Sequence, residues 1–140
     1  MTAKAVVCDF IQRLDDAVSG GQADPFALMH DNITITVNGT PPLSGNYPNL
    51  QIVRNVLLCT IKRRIKSASI SLIDCIGTGK RVGTLLHITA RTVDNKTYNE
   101  ADDPAGCLFE VQDGKINEIQ LFPDTTLIET VIFNREFVPN

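Results

Sequence analysis

Two side chains in this sequence have the chemistry to move a proton near neutral pH, His87 and Asp124. His87 stands between Leu86 and Ile88 in mid-strand, where an imidazole could take a proton from a carbon beside a carbonyl. The competing use is a core histidine hydrogen-bonded to backbone or to a buried hydroxyl. Asp124 follows Pro123 at the end of the last strand pattern and precedes Thr125 and Thr126. Facing an apolar cavity, such a carboxyl is held protonated by desolvation and serves as a general acid. At a helix start it accepts backbone N–H bonds and stays ionised. His30 reads as a surface or capping residue. Asp102 and Asp103 read as a solvated loop or a pocket rim, and Arg91 as half of a cross-strand ion pair or as a partner for a carboxylate ligand.

The elements that must position these groups are legible from periodicity. Val7, Phe10, Ile11, Leu14, Ala17 and Val18 recur at helical spacing, and Ser19-Gly20-Gly21 ends that helix. Asp24-Pro25 caps and opens a short second helix over residues 26–29. Ile33, Ile35 and Val37 alternate with polar residues, the pattern of a strand with one apolar face. Residues 38–48 carry three prolines and two glycines and read as an irregular loop, whose Leu43 and Tyr47 could cover a cavity mouth. A third, longer helix is predicted over residues 49–65. Strands follow over residues 68–72, 82–93 and onward across Asp94-Asn95-Lys96, with Pro104 interrupting the ladder. The clearest pattern spans residues 106–126: Cys107, Phe109 and Val111, then Ile119 and Leu121, flank an Asp113-Gly114 turn. Thr126 and Glu129 match a capping box for a final helix.

Helices first, then a run of antiparallel strands, predict an α+β fold. It is a cone-shaped, strongly curved, mostly antiparallel sheet with N-terminal helices on its concave face. Its 140 residues make a single domain over 1–140. Such a cone holds a small molecule, and Phe10, Leu14, Val37, Leu43, Tyr47, Leu57, Cys107, Phe109 and Leu121 are the expected lining. A net charge of -3, from 13 basic and 16 acidic residues, argues against nucleic acid or an anionic membrane as partner. The basic run Lys62, Arg63, Arg64, Lys66 is assigned to a helix C-terminus, where cations complement the dipole. Cys8, Cys59, Cys75 and Cys107 show neither CxxC nor zinc-ligand spacing. They read as free thiols in a cytoplasmic protein, with no metal and no cofactor expected.

The element order, the run F-x-V-x-D-G-K-I-x-E-I at Phe109 to Ile119 and the F-x-D-T at Phe122 to Thr125 resemble the nuclear transport factor two-like superfamily. The resemblance is closest to its SnoaL-like and ketosteroid-isomerase-like members. It covers nearly the whole chain and implies the conical fold. The isomerases use a tyrosine in the first helix, a carboxylate base at the end of the first strand and a neutral carboxylic acid on a later strand. Those places hold Phe10, Val37 or Asn38, and Cys107, so steroid isomerisation by that mechanism is not expected. Asp124 resembles the aspartate after the last long strand in SnoaL-like cyclases and limonene-type epoxide hydrolases. The hydrolase set is incomplete, with His87 at the partner aspartate and Leu85 at the arginine.

Two functions follow as expectations. One is an enzyme acting on a small apolar carbonyl compound by proton transfer through His87 and Asp124, giving isomerisation, cyclisation or dehydration. The other is a binding or assembly module of the same fold, with a homodimer formed through the sheet. The strip Leu86, Ile88 and Ala90 is the apolar face expected to lie at that dimer contact.

Overall fold

The computed structural model describes residues 2–39, 44–100, 102–123 and 131–132. The first helix, α1 (Ala3–Val18), starts at Thr2, whose hydroxyl accepts the Ala5 amide at 3.1 Å, and stops at Ser19 and Gly20. Val6, Val7, Phe10 and Ile11 are its buried residues, one face of the helical period. After Asp24, which accepts the Phe26 amide, Pro25–Leu28 forms one 3-10 turn rather than an α-helix. The chain then enters β1 (Met29–Val37). The strand begins four residues earlier than its alternation suggests, because Met29 is already paired with the strand at the other end of the chain. That register places His30 in a strand and not at a helix end.

Residues 38–48 are not wholly irregular, since β2 (Gly45–Pro48) pairs antiparallel with β1 and buries Tyr47. A proline is tolerated there because β2 is an edge strand. The long helix comes in three pieces: α2 (Leu50–Ile52), a π-helical segment (Val53–Leu57) and α3 (Leu58–Arg64). Asn49, at φ 64°, caps its start by accepting the Ile52 amide. Arg64, last of the basic run on α3, donates to the Ile132 carbonyl and pairs with Asp94 at 2.7 Å.

Four longer strands complete the sheet: β3 (Ile65–Ile76), β4 (Arg81–Thr92), β6 (Ala105–Gln112) and β7 (Lys115–Phe122), with the short β5 (Thr97–Tyr98) beside β4. Among the described residues the order is β2-β1-β7-β6-β4-β3, antiparallel except for β1 against β7. Asp113 and Gly114, both at positive φ, close the β6–β7 hairpin at the turn predicted for them. The result is a curled α+β half-barrel with α1 across its concave side. Phe10 of α1 meets Phe109 of β6 edge to face, with centroids 5.9 Å apart and planes at 67°. No helix among the described residues is long and apolar enough to cross a membrane. The predicted capping box at Thr126 lies outside the described residues.

Ile33 has no exposed surface and belongs to the main apolar cluster. Truncation to alanine removes three carbons from a site that cannot collapse freely. Ile33→Ala should lower unfolding stability by about 2–5 kcal/mol, read from urea denaturation at unchanged slope.

Candidate functional site

On the concave side the expected lining residues are closely packed. Phe10, Val37, Tyr47, Leu57, Cys107 and Phe109 are buried in one apolar cluster, with Leu14 and Leu121 half-buried against it. Leu43 lies outside the described residues. The Thr84 hydroxyl donates to the Cys107 carbonyl at 2.9 Å, so a buried polar group inside the cone is satisfied by backbone. Burial pushes the Cys107 thiol up to about 12 and also raises the Tyr47 phenol.

Open space occurs at the mouth, where the β4 ladder is interrupted. β4 pairs with β6 as far as Leu86 opposite Ala105 and with β5 from Ala90 opposite Tyr98. Between these two ladders residues 99–100 and 102–104 lie outside the sheet as a bow. Asn99 and Asp102 both sit at positive φ there, the region that asparagine and aspartate tolerate best among residues with a side chain. A cavity of about 280 Å³ opens beside this bow, walled by Ile88, Ala105, Phe122 and Pro123 and edged by Tyr98, Asn99, Asp103 and Pro104.

Asn99 holds the bow in place. Its amide nitrogen donates to the Ile88 and Asp103 carbonyls, each at 2.9 Å, and its oxygen accepts the Asp103 amide at 3.0 Å. The Ile88 carbonyl, at the break between the two ladders, is thereby satisfied. From sequence Asp103 reads as a loop or pocket-rim residue, whereas Asn99 draws no assignment. The available signal was an asparagine directly before an acidic turn ending in proline, a composition that favours local side-chain-to-backbone bonds.

His87 and Asp124 are not seen together at this cavity. Asp124 lies outside the described residues. Leu86 is buried against the helices, and alternation along β4 turns His87 to the opposite, outer face. There Asp102 Oδ1 is 2.9 Å from His87 Nδ1, close enough for an ion pair when the ring is protonated. Among the described residues Nδ1 has no partner that meets hydrogen-bond geometry, so this contact is one of proximity alone. With the two side chains 41% and 51% exposed, the pair contributes no more than about 1 kcal/mol. His30 Nε2 lies 3.0 Å from the Gln112 carbonyl, far along the chain and across the β1 end of the sheet.

The same alternation corrects the expected dimer strip. Leu86 is buried in the main cluster, and Ile88 and Ala90 are half-buried on the same inner face. The outer face presents Ile76, Leu85, Leu108 and Phe122, which are 64%, 44%, 40% and 42% exposed. Gly83 pairs with Leu108 and Gly106 with Leu85 and Phe122, so two glycines leave a shallow groove of about 360 Å³ between the larger side chains. No group of three or more histidine, cysteine, aspartate or glutamate side chains among the described residues is placed to hold a metal.

No protein-family profile and no curated protein sequence matches the chain. Solved structures do match. A nuclear transport factor two-like protein of unknown function from Burkholderia pseudomallei superposes at TM-score 0.76, covering 94% of this chain and 98% of that one at 14% identity. The chain has the nuclear transport factor two-like fold. Within that fold it is also similar to TerC co-crystallised with polyporic acid, at TM-score 0.76 and 15% identity over 94% of this chain and 98% of that one. A protein from a Jannaschia species assigned to the SnoaL-like polyketide cyclases matches at TM-score 0.68 and 11% identity over 96% of both chains. At these identities what is shared is the nuclear transport factor two-like architecture, with its chemistry left to the site residues.

The raised Cys107 pKa has a definite sign. The unfolded thiol ionises near its ordinary value of 9.0 and the folded thiol near 12, so the stability linked to this group is complete below pH 9 and is lost as pH rises toward 12. Cys107→Ala should flatten the alkaline limb of the stability curve between pH 9 and 11 relative to wild type, measured by urea denaturation. In native protein at pH 8 a thiol reagent should modify the exposed Cys59 well before Cys107.

Proposed function

We propose that the chain binds a small, mainly apolar molecule carrying a carbonyl or hydroxyl group in the cavity at the mouth of the cone. The observation that carries this reading is the pairing of an apolar wall with a polar edge. Ile88, Ala105, Phe122 and Pro123 supply the wall, while the Asn99–Asp103 turn supplies the edge. Such a combination binds apolar ligands and fixes their orientation. The similarity to a SnoaL-like cyclase and to TerC with polyporic acid agrees with a small-molecule ligand.

Proton transfer on that ligand, giving isomerisation, cyclisation or dehydration, is the catalytic form of the same reading. Asp103 edges the cavity, and the sequence passes from the wall residue Pro123 directly into Asp124. Asp103, at the mouth, and Asp124, the next residue in sequence after Pro123, are the acid–base candidates. His87, on the outer face, gains no support from its position. A panel of phenolic ketones and quinones, screened by thermal shift and then by calorimetry, tests the binding reading. Ala105→Trp, which fills the cavity, should weaken any ligand found by at least about tenfold, roughly 1.4 kcal/mol. Undiminished affinity in that variant would place the site elsewhere. Turnover that survives in both Asp103→Asn and Asp124→Asn would remove the catalytic form while leaving binding intact.

A second reading, assembly of two copies through the outer sheet face, is favoured by the exposed row of Ile76, Leu85, Leu108 and Phe122. Apolar side chains gathered on one sheet face with glycine hollows between them suit a self-complementary two-fold contact. Sedimentation at micromolar concentration should give a dimer for wild type and a folded monomer for Leu108→Glu. A wild-type monomer would exclude this assembly.

A further inference from the structure

We infer that Cys8 and Cys75 form a modification site, a dithiol that a hydroperoxide converts into a disulfide tying α1 to β3. The placement follows from how α1 lies along β3. Near the end of the helix the Ser19 hydroxyl donates to the Ala68 carbonyl at 3.1 Å, and one turn earlier Asp15 Oδ1 accepts the Ile70 amide at 2.8 Å. Moving back along the helix therefore moves forward along the strand. Cys8 lies seven residues before Asp15, two turns of an α-helix, so it falls on the same stripe facing β3. Continuing that track brings it to the far end of β3, where Cys75 is found.

A register shift supplies the other half. From Ala68 to Leu72 the even-numbered residues of β3 face inward. Between Leu72 and Asp74 the pairing with β4 skips, leaving Ile73 as the extra residue. Beyond it the inward parity changes to odd numbers. Cys75 sits opposite the buried Thr84 and packs against the main cluster, while Asp74 and Ile76 are exposed. Without the bulge Cys75 would face outward, away from the helix. The helix track and the strand register thus bring the two thiols to the same place, and the influence of Cys8 on the Cys75 thiol agrees with that. Burial first, and then the neighbouring Cys8, raise the Cys75 thiol, with Lys4 opposing; Asp74 and the hydrogen bond to Cys8 add to the rise.

The other cysteines are poorly placed to compete. Cys107 is on the same inner row as Cys75 but two strands away, about 9–10 Å at ordinary strand spacing, beyond disulfide reach. Cys59 is exposed on α3, with its sulfur 4.0 Å from the Arg54 carbonyl. Both Cys8 and Cys75 are half-buried, which admits a small oxidant.

In the reaction the Cys8 sulfur attacks the distal peroxide oxygen. The O–O bond breaks, alcohol or water leaves, and Cys8 becomes a sulfenic acid. The Cys75 sulfur then attacks the Cys8 sulfur, the S–O bond breaks, and the hydroxyl leaves as water with the Cys75 proton. Two thiols are oxidised to one disulfide, and one hydroperoxide is reduced to one alcohol and one water.

The test treats the full chain carrying Cys59→Ser with stoichiometric hydrogen peroxide, alkylates remaining thiols and maps peptides without reduction. The expected result is a Cys8–Cys75 cross-linked peptide that dithiothreitol releases. Because the bond closes a long loop, the oxidised form should melt on the order of 5–10 °C higher than the reduced one. Cys8→Ser or Cys75→Ser should abolish both the link and the shift. Recovery of both residues separately alkylated, oxidised only to sulfinic acid, or linked to Cys107 would overturn the inference. If a serine variant fails to fold, the map of the Cys59→Ser protein still decides the outcome.

Discussion

Parallel pairing of β1 with β7 is the contact on which the rest of the structure depends. Every other long ladder joins strands that are neighbours or near neighbours in sequence, from β3 through β7. β1 alone must find a strand some eighty residues away, with Ile35 opposite Ile119 and Val37 opposite Leu121. The Asn38 amide extends the seam by donating to the Leu121 carbonyl at 2.9 Å. Closing so long a loop carries an entropic cost that local hairpins avoid. Apolar burial offsets it: Ile33, Ile35 and Val37 bring their inner faces to Ile116 and Ile119 beneath α1. With that seam formed, β2 has an edge to join and α2 has a strand to leave from, through the Asn49 amide bonded to the Ile33 carbonyl.

The mouth of the cone obeys a different constraint. β5 and β6 share no continuous register along β4, and residues 99–100 and 102–104 lie outside the sheet between them. Backbone groups freed in this way would be unsatisfied if buried, and the Asn99 side chain stands in for the missing strand partner. The cavity is thus the by-product of a ladder that stops and restarts. Its polar edge consists of the groups that repair the gap, which is why hydrogen-bonding capacity and open volume occur at the same place.

Local rules carried the sequence reading far. The helical stripe of Val7, Phe10 and Ile11, the Asp24-Pro25 cap and the Asp113-Gly114 turn all appear where the residues put them. Long-range pairing was what remained hidden. Met29 and His30 look helical beside Phe26 and Leu28 but become strand because β7 is there to pair with Met29. Gly45–Pro48 looks like loop yet serves as an edge strand because β1 offers a free side. For His87 the strand and its alternation are legible, but both faces of β4 carry apolar residues. Periodicity alone therefore could not say which face meets the helices. Asn99 is hidden for a related reason, since its role exists only where the β4 ladder breaks.

The displaced residue in β3, Ile73, divides that strand into two stretches that answer to different demands. Its first half keeps step with α1 through Ala68, Ile70 and Leu72, whereas its last residues offer Asp74 and Ile76 to the outer face. A strand of uniform alternation would bind these two surfaces together, so that a change of length at one end would turn every side chain beyond it. Here the join is already irregular. Gain or loss of a residue at this point turns the side chains beyond it, Cys75 included, while the half that bonds Ser19 and Asp15 stays in register. In evolutionary terms the bulge makes the end of the strand free to diversify on a first half that does not change.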